Sequence, residues 1–218
     1  MPDLTFPEAE AALVRACYAR ARVILEYGTG GSTRFASGLP DSYVIGVETD
    51  RDQAIRLQAQ IDASNWASPT VVHHQDIGRD SLEETSVQEG HGELFHPYPF
   101  EIWRESFFRH PDLVLINGRF RPACLLAVTL LIERPVTVLF ADYPDHVHRP
   151  LVEQVVAPEA VIDRMARFEL EPGAVRPDRF HDYMARLSRL ASPPADGVPY
   201  HPLAQAAEKG PIHAGDGT

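Results

Sequence analysis

The sequence predicts an α/β protein: a doubly wound, mostly parallel sheet with helices on both faces. Three observations predict it. Short apolar runs alternate with helix-forming stretches, the pattern that builds strand–helix–strand units. The ends of these runs carry Glu26, Glu48, Asp76, Asn117 and Asp142. Ligands of such sheets bind at the carboxyl ends of the strands, so these residues form one candidate set. The first run, Val23 to Tyr27, passes into the turn Gly28-Thr29-Gly30-Gly31-Ser32 and then a helix start. Glycines let a backbone approach a ligand closely, and a helix start offers free N–H groups.

The elements follow in order. Thr5 to Ala21 reads as a helix, with Thr5 as its cap, Pro7 in its first turn and Glu8 and Glu10 at its positive end. Val23–Tyr27 is the first strand and Thr33–Leu39 the next helix. Tyr43–Glu48 is a strand, Arg51–Ser64 a helix and Thr70–His74 a β-branched strand. The rhythm breaks from Gly78 to His110, where aromatic residues argue for an ordered flap, with a helix over Phe100–Arg109. Asp112–Asn117 is the fourth strand, Pro122–Leu131 an apolar helix and Val136–Ala141 the fifth strand. Pro150–Val156 is a short helix, Val161–Asp163 and Ala166–Leu170 a tight strand pair, and Arg179–Leu190 a last helix. Periodicity vanishes after that. One domain over 1–191 with a flap at about 78–110, then a flexible tail over 192–218, is the expected organisation.

Composition narrows the function. The chain has 218 residues, 20 basic against 31 acidic, for a net charge of −11. That balance argues against a partner bound through its phosphate backbone, so no nucleic acid is expected. Cys17 and Cys124 sit in apolar patterns and read as buried thiols, without the spacing of a zinc site. The start, Met1-Pro2-Asp3-Leu4, lacks the pattern of a signal peptide, and the longest apolar run, Ala123–Ile132, is too short to span a bilayer. A cytoplasmic protein with no membrane contact is expected. The apolar Pro122–Leu131 helix needs cover, which leaves room for a homo-oligomer.

The glycine turn is not a dinucleotide fingerprint, because Thr33 stands where a third glycine would be. Glu26, just before the turn, would repel a pyrophosphate. It suits a ligand with a positive group and no phosphate, such as S-adenosylmethionine. Glu48, twenty positions after Gly28, can accept both ribose hydroxyls.

Taken together, Glu26-x-Gly28-x-Gly30-Gly31-Ser32-Thr33, the run ending in Glu48, Gln75-Asp76-Ile77 and the run ending in Asn117-Gly118-Arg119 resemble the class I S-adenosylmethionine-dependent methyltransferases over about residues 20–171. The resemblance implies a seven-stranded sheet with an antiparallel last strand, and S-adenosylmethionine as cofactor. It implies that Glu26 contacts the methionine part, that Gly28 and Gly30, with Ser32 in the same turn, pass under the carboxypropyl chain, and that Glu48 holds the ribose. Asp76 and Ile77 would hold the adenine, and Asn117 would lie beneath the transferable methyl. The pattern departs at Asn117, where related sequences carry Asp. An amide is a poor ligand for Mg²⁺, so no metal site is expected. A hydroxyl acceptor would want a base, for which Asp142 and His146 are candidates, with His148 beside the acceptor. Arg119 and Arg121 suit a small anionic acceptor, and Tyr98 lies on the flap near the ligand. Two competing readings remain: a binding module that kept the fold without catalysis, and a nicotinamide-dependent enzyme, against which Thr33 and Glu26 count.

Overall fold

The computed structural model describes residues 4–77, 98–144, 149–153, 155–175, 181–183 and 185. Most of the expected flap, His146, His148 and the expected tail lie outside the described residues. The strands are β1 (Val23–Tyr27), β2 (Tyr43–Glu48), β3 (Thr70–His74), β4 (Leu113–Ile116), β5 (Val136–Phe140), β6 (Ala160–Ile162) and β7 (Met165–Leu170). They form one sheet in the order β3-β2-β1-β4-β5-β7-β6. The first five pair in parallel, and β7 runs antiparallel to both β5 and β6. The helices are α1 (Glu8–Tyr18), α2 (Gly31–Ser37), α3 (Arg51–Ser64), α4 (Arg121–Leu131) and α5 (Arg149–Glu153).

Alternation along each strand divides the core between the two faces of the sheet. Leu25, Tyr27, Val114, Ile116, Val138 and Phe140 pack on one face with α4 and the segment around Trp103. Ile24, Val44, Leu113, Leu115 and Leu139 pack on the other with α1 and α2. Both faces are apolar, as a covered parallel sheet requires.

Three expected elements differ. The first helix begins at Glu8, with Pro7 at its cap position and no side-chain cap bond, so Thr5 and Phe6 precede it as open chain. The helix after the glycine turn begins at Gly31 rather than Thr33. The helix expected over Phe100–Arg109 is a single 3₁₀ turn, Glu101–Arg104, ended by Glu105 in extended geometry. The aromatics of that stretch are held by tertiary contacts instead. The Trp103 indole donates to the Tyr27 hydroxyl (2.8 Å), which donates to Pro99 O (2.7 Å), and the Tyr43 hydroxyl donates to Phe107 O (3.0 Å). None of the described helices is long and apolar enough to cross a membrane.

Candidate active site

The strand order reverses at β1, which has β2 on one side and β4 on the other. Chains leaving the ends of β1 and β4 diverge there and open a crevice. A cavity of about 530 Å³ occupies it, lined by Gly28, Thr29, Gly30, Gly31, Ser32, Glu48 and Gln53, with Tyr98, Asn117, Gly118 and Arg119 across from them. Its volume falls in the range of small-molecule sites. Thr5 and Phe6, kept out of α1 by the proline that follows them, line the same cavity.

The floor is a backbone contact between two glycines. Gly28 has φ +90°, a conformation L side chains rarely adopt, and a Cβ on it would lie 2.6 Å from Gly118 Cα and N. A Cβ on Gly118 would lie 2.7 Å from the Tyr98 hydroxyl and 2.8 Å from Gly28 N. Gly30 is different: a Cβ there would meet nothing within 4 Å and would project into open space.

Glu26 does not face the cavity as expected. Strand alternation puts it on the Ile24 face, under α1 and α2, and it is wholly buried. The Tyr18 hydroxyl of α1 donates to it (2.5 Å), and so does the Thr33 hydroxyl of α2. Thr33 Oγ1 in turn accepts from Gly30 N (2.9 Å). A third glycine would break this relay, so Thr33 belongs to it and Glu26 acts by clamping the glycine turn. Burial pushes the Glu26 carboxyl up to about 7, against the lowering effect of hydrogen bonds from Thr33, Tyr18 and Ser32.

Glu48 does line the cavity. Its Oε1 accepts from Thr49 N (2.8 Å) and Asp50 N (3.1 Å), and its Oε2 from the Thr29 hydroxyl (2.6 Å), the Gln53 amide (2.9 Å) and, at 3.4 Å, Thr29 N. The main-chain donors are fixed, whereas the Thr29 hydroxyl and the Gln53 amide can turn aside for a diol. Ile77 is core and Asp76 is exposed, and neither lines the cavity.

A second cavity of about 250 Å³ adjoins the first, lined by Thr5, Phe6, Pro7, Glu10, Asn117, Ala141, Asp142 and Arg164. Asn117 is exposed and lines both, and its side-chain amide makes no hydrogen bond to a described residue.

Asp142, expected as a base, is held between two guanidiniums. Arg121 Nη1 lies 2.8 Å from Oδ2, and Arg164 Nε and Nη2 lie 3.0 and 2.9 Å from Oδ1. Burial would raise its carboxyl, but the hydrogen bonds from Arg121 and Arg164 outweigh that and hold it below the usual range. Such a carboxylate is a poor proton acceptor. Arg121, expected at the acceptor, also donates to Gly118 O (3.1 Å) and Ala141 O (3.0 Å) and lines neither cavity. It ties the loop after β4 to the loop after β5. Arg119 keeps an exposed guanidinium on the first cavity, with no acidic partner among the described residues. Among the described residues no three His, Cys, Asp or Glu side chains gather as metal ligands.

Comparison with known proteins identifies the fold and the family. A methyltransferase-like protein from Silicibacter pomeroyi is 37% identical, with a TM-score of 0.75 over 88% of this chain and 98% of that one. The chain belongs to the class I S-adenosylmethionine-dependent methyltransferase family. Fainter likenesses to this methyltransferase are an O-methyltransferase from Bacillus cereus in complex with SAH (20% identity, 68% and 60% coverage, TM-score 0.42) and a dimethyladenosine transferase from Plasmodium falciparum (10% identity, 78% and 63% coverage, TM-score 0.45). No protein-family model and no curated protein matches the chain. The sheet order, with its antiparallel β7, is that of the family, and the family's cofactor is S-adenosylmethionine. Sequence reasoning missed Thr29, Gln53, Thr5 and Phe6 on the first cavity, and Glu10 and Arg164 on the second.

Proposed function

We propose that this methyltransferase binds S-adenosylmethionine in the larger cavity and methylates a small anionic molecule at the junction of the two cavities. One observation carries the reading: Asn117, at the end of β4, lines both chambers and is the natural boundary between cofactor and acceptor.

The residues present fit the cofactor. The cavity is glycine-walled on one side, has open space at the Gly30 Cβ position, and carries the Glu48 carboxylate on the other. Bound there, S-adenosylmethionine supplies an electrophilic methyl on a sulfonium. Gly28, Gly30 and Ser32 hold the carboxypropyl chain. Glu48 takes the ribose hydroxyls, with the Thr29 hydroxyl or the Gln53 amide displaced. Asp76 and Ile77, which follow β3 and lie outside the cavity lining, are retained as candidates for the adenine side. Glu26 supports the site from below. Holding the reacting atoms in line supplies much of the rate.

Arg119 is the cation that selects an anionic acceptor, and the net charge of −11 favours a small molecule over RNA. The cytoplasm is the compartment that fits such chemistry. His146 and His148 are retained as candidate acceptor-side groups.

A screen of small carboxylates and phosphates with methyl-labelled cofactor tests the reading. At least one is expected to be methylated, and Arg119→Gln to raise its KM about tenfold or more, since a charge-assisted bond contributes about 1.5–3 kcal/mol. Labelling of RNA or protein alone would sink the small-molecule reading. Cofactor binding without transfer to any acceptor would favour a binding module.

A further inference from the structure

We propose that Glu10 is the proton acceptor for a hydroxyl group bound in the second cavity, which makes the enzyme an O-methyltransferase. The proposal rests on the methyltransferase reading and goes beyond it to the acceptor group.

Glu10 stands in the first turn of α1 and is 4% exposed, yet it lines the second cavity beside Asn117. One oxygen, Oε1, accepts from Arg164 N at 3.1 Å, in the turn between β6 and β7. The other, Oε2, has no hydrogen-bond partner among the described residues. That oxygen is not among the buried polar atoms left unsatisfied, so it opens onto the cavity, where a bound hydroxyl can reach it. Pinning the β6–β7 turn needs only one neutral acceptor, which Gln would supply without burying a charge. The charge and the open oxygen therefore point to a partner that enters the cavity. The neighbouring acid cannot take this role, because Asp142 is bound on both oxygens by Arg121 and Arg164. Besides Asp142 and the Arg164 that holds it, the residues lining the cavity with Glu10 are Thr5, Phe6, Pro7, Ala141 and Asn117, none of which is a base.

A neutral amine or a thiolate attacks a sulfonium methyl without help, whereas a hydroxyl gains from losing its proton as it attacks. In the step, the acceptor's O–H proton passes to Glu10 Oε2 while the oxygen's electron pair forms the O–CH₃ bond. The carbon–sulfur bond breaks, and its electron pair stays on sulfur, which ends as a neutral thioether. The charges balance: sulfonium and carboxylate become thioether and carboxylic acid.

Glu10→Gln keeps an oxygen for Arg164 N and removes the charge, so it separates a chemical role from a structural one. Both proteins are first titrated with S-adenosylhomocysteine. In its presence, phenols, hydroxy acids and polyols are titrated, each beside its deoxy counterpart, and those that bind are assayed with labelled S-adenosylmethionine. The expected result has three parts. A hydroxyl compound binds at least about tenfold better than its deoxy counterpart, consistent with one hydrogen bond to a charged group. Glu10→Gln keeps its melting temperature and its affinity for S-adenosylhomocysteine but loses about 100-fold or more in methyl transfer. Glu10→Asp, which keeps the charge, retains more transfer than Glu10→Gln. Undiminished transfer by Glu10→Gln, no hydroxyl compound bound beside S-adenosylhomocysteine, or transfer confined to amines and thiols would overturn the proposal. Failure of S-adenosylhomocysteine itself to bind would overturn the cofactor reading, and this proposal with it.

Discussion

Gly28→Ala is expected to lower the melting temperature by about 10 °C and to abolish cofactor binding. Two independent costs add. The φ of +90° is one that L residues rarely adopt, which costs about 1–2 kcal/mol. The new Cβ would also lie 2.6 Å from backbone atoms of Gly118, which no side-chain rotation relieves. Forced overlap of this kind typically costs about 1–3 kcal/mol. The sum is about 3 kcal/mol, and each kcal/mol shifts the transition of a domain this size by about 2–4 °C. Gly30→Ala is the control. A Cβ on Gly30 meets nothing within 4 Å, so no contact opposes the added methyl and the melting temperature falls far less than in Gly28→Ala. Its methyl enters the cavity and weakens cofactor binding. Thermal unfolding of both variants beside wild type, each followed by titration with S-adenosylhomocysteine, checks the pair. Equal melting temperatures for all three proteins would show that the Gly28–Gly118 contact does not carry the floor of the site.

The second large effect lies in the pH dependence of stability. Burial raises the Glu26 carboxyl from 4.5 to about 7 in the folded protein. The sign follows from proton counting. Below pH 4.5 the group is protonated folded and unfolded, and it contributes nothing differential. As pH rises from 4.5 to 7 the unfolded chain releases the proton and the folded chain keeps it, so the folded state loses stability. At one unit per 1.36 kcal/mol the loss is roughly 3 kcal/mol, complete above about pH 7. Asp142, whose carboxyl is lowered, works in the opposite sense: its stabilisation is lost as pH falls through its folded value. The contribution of Glu26 is therefore isolated by difference. Glu26→Gln is neutral at every pH and can still accept from Tyr18. Relative to wild type it should gain roughly 3 kcal/mol between about pH 4.5 and pH 8, read from urea unfolding midpoints. Parallel stability curves would mean that Glu26 titrates in the fold as it does in the unfolded chain.

The sheet was legible in the sequence because its strands are covered on both faces. Runs such as Val23–Tyr27 and Tyr43–Glu48 are apolar apart from one acid each, near or at the end, and are bounded by turn residues, so their positions agree with the structure. The same property hid the role of Glu26. In a strand with two apolar faces, alternation carries no polarity signal, and nothing local says that residue 26 lies under a helix rather than at the strand end. The stretch from Phe100 to Arg109 was misread for a related reason. Its aromatics are spaced like a helix face but are anchored by Tyr27 and Tyr43 from distant strands. Arg121 looked like an acceptor ligand because its partner Asp142 lies 21 residues further on. Glu10 looked like a helix-dipole acid, and its place in the second cavity depends on a turn 154 residues away. Much of the larger cavity's lining was legible because the glycine turn and Glu48 are consecutive strand ends. The smaller cavity was not, because it is assembled from α1, the ends of β4 and β5 and the β6–β7 turn.

The central claim is that the crevice at the reversal of strand order holds S-adenosylmethionine. Isothermal titration of the protein with S-adenosylhomocysteine tests it most directly. Saturable one-to-one binding that is lost in Gly30→Val, a variant that still unfolds in a cooperative thermal transition, is the predicted result. No binding heat at millimolar ligand, or equal binding by wild type and Gly30→Val, would contradict it.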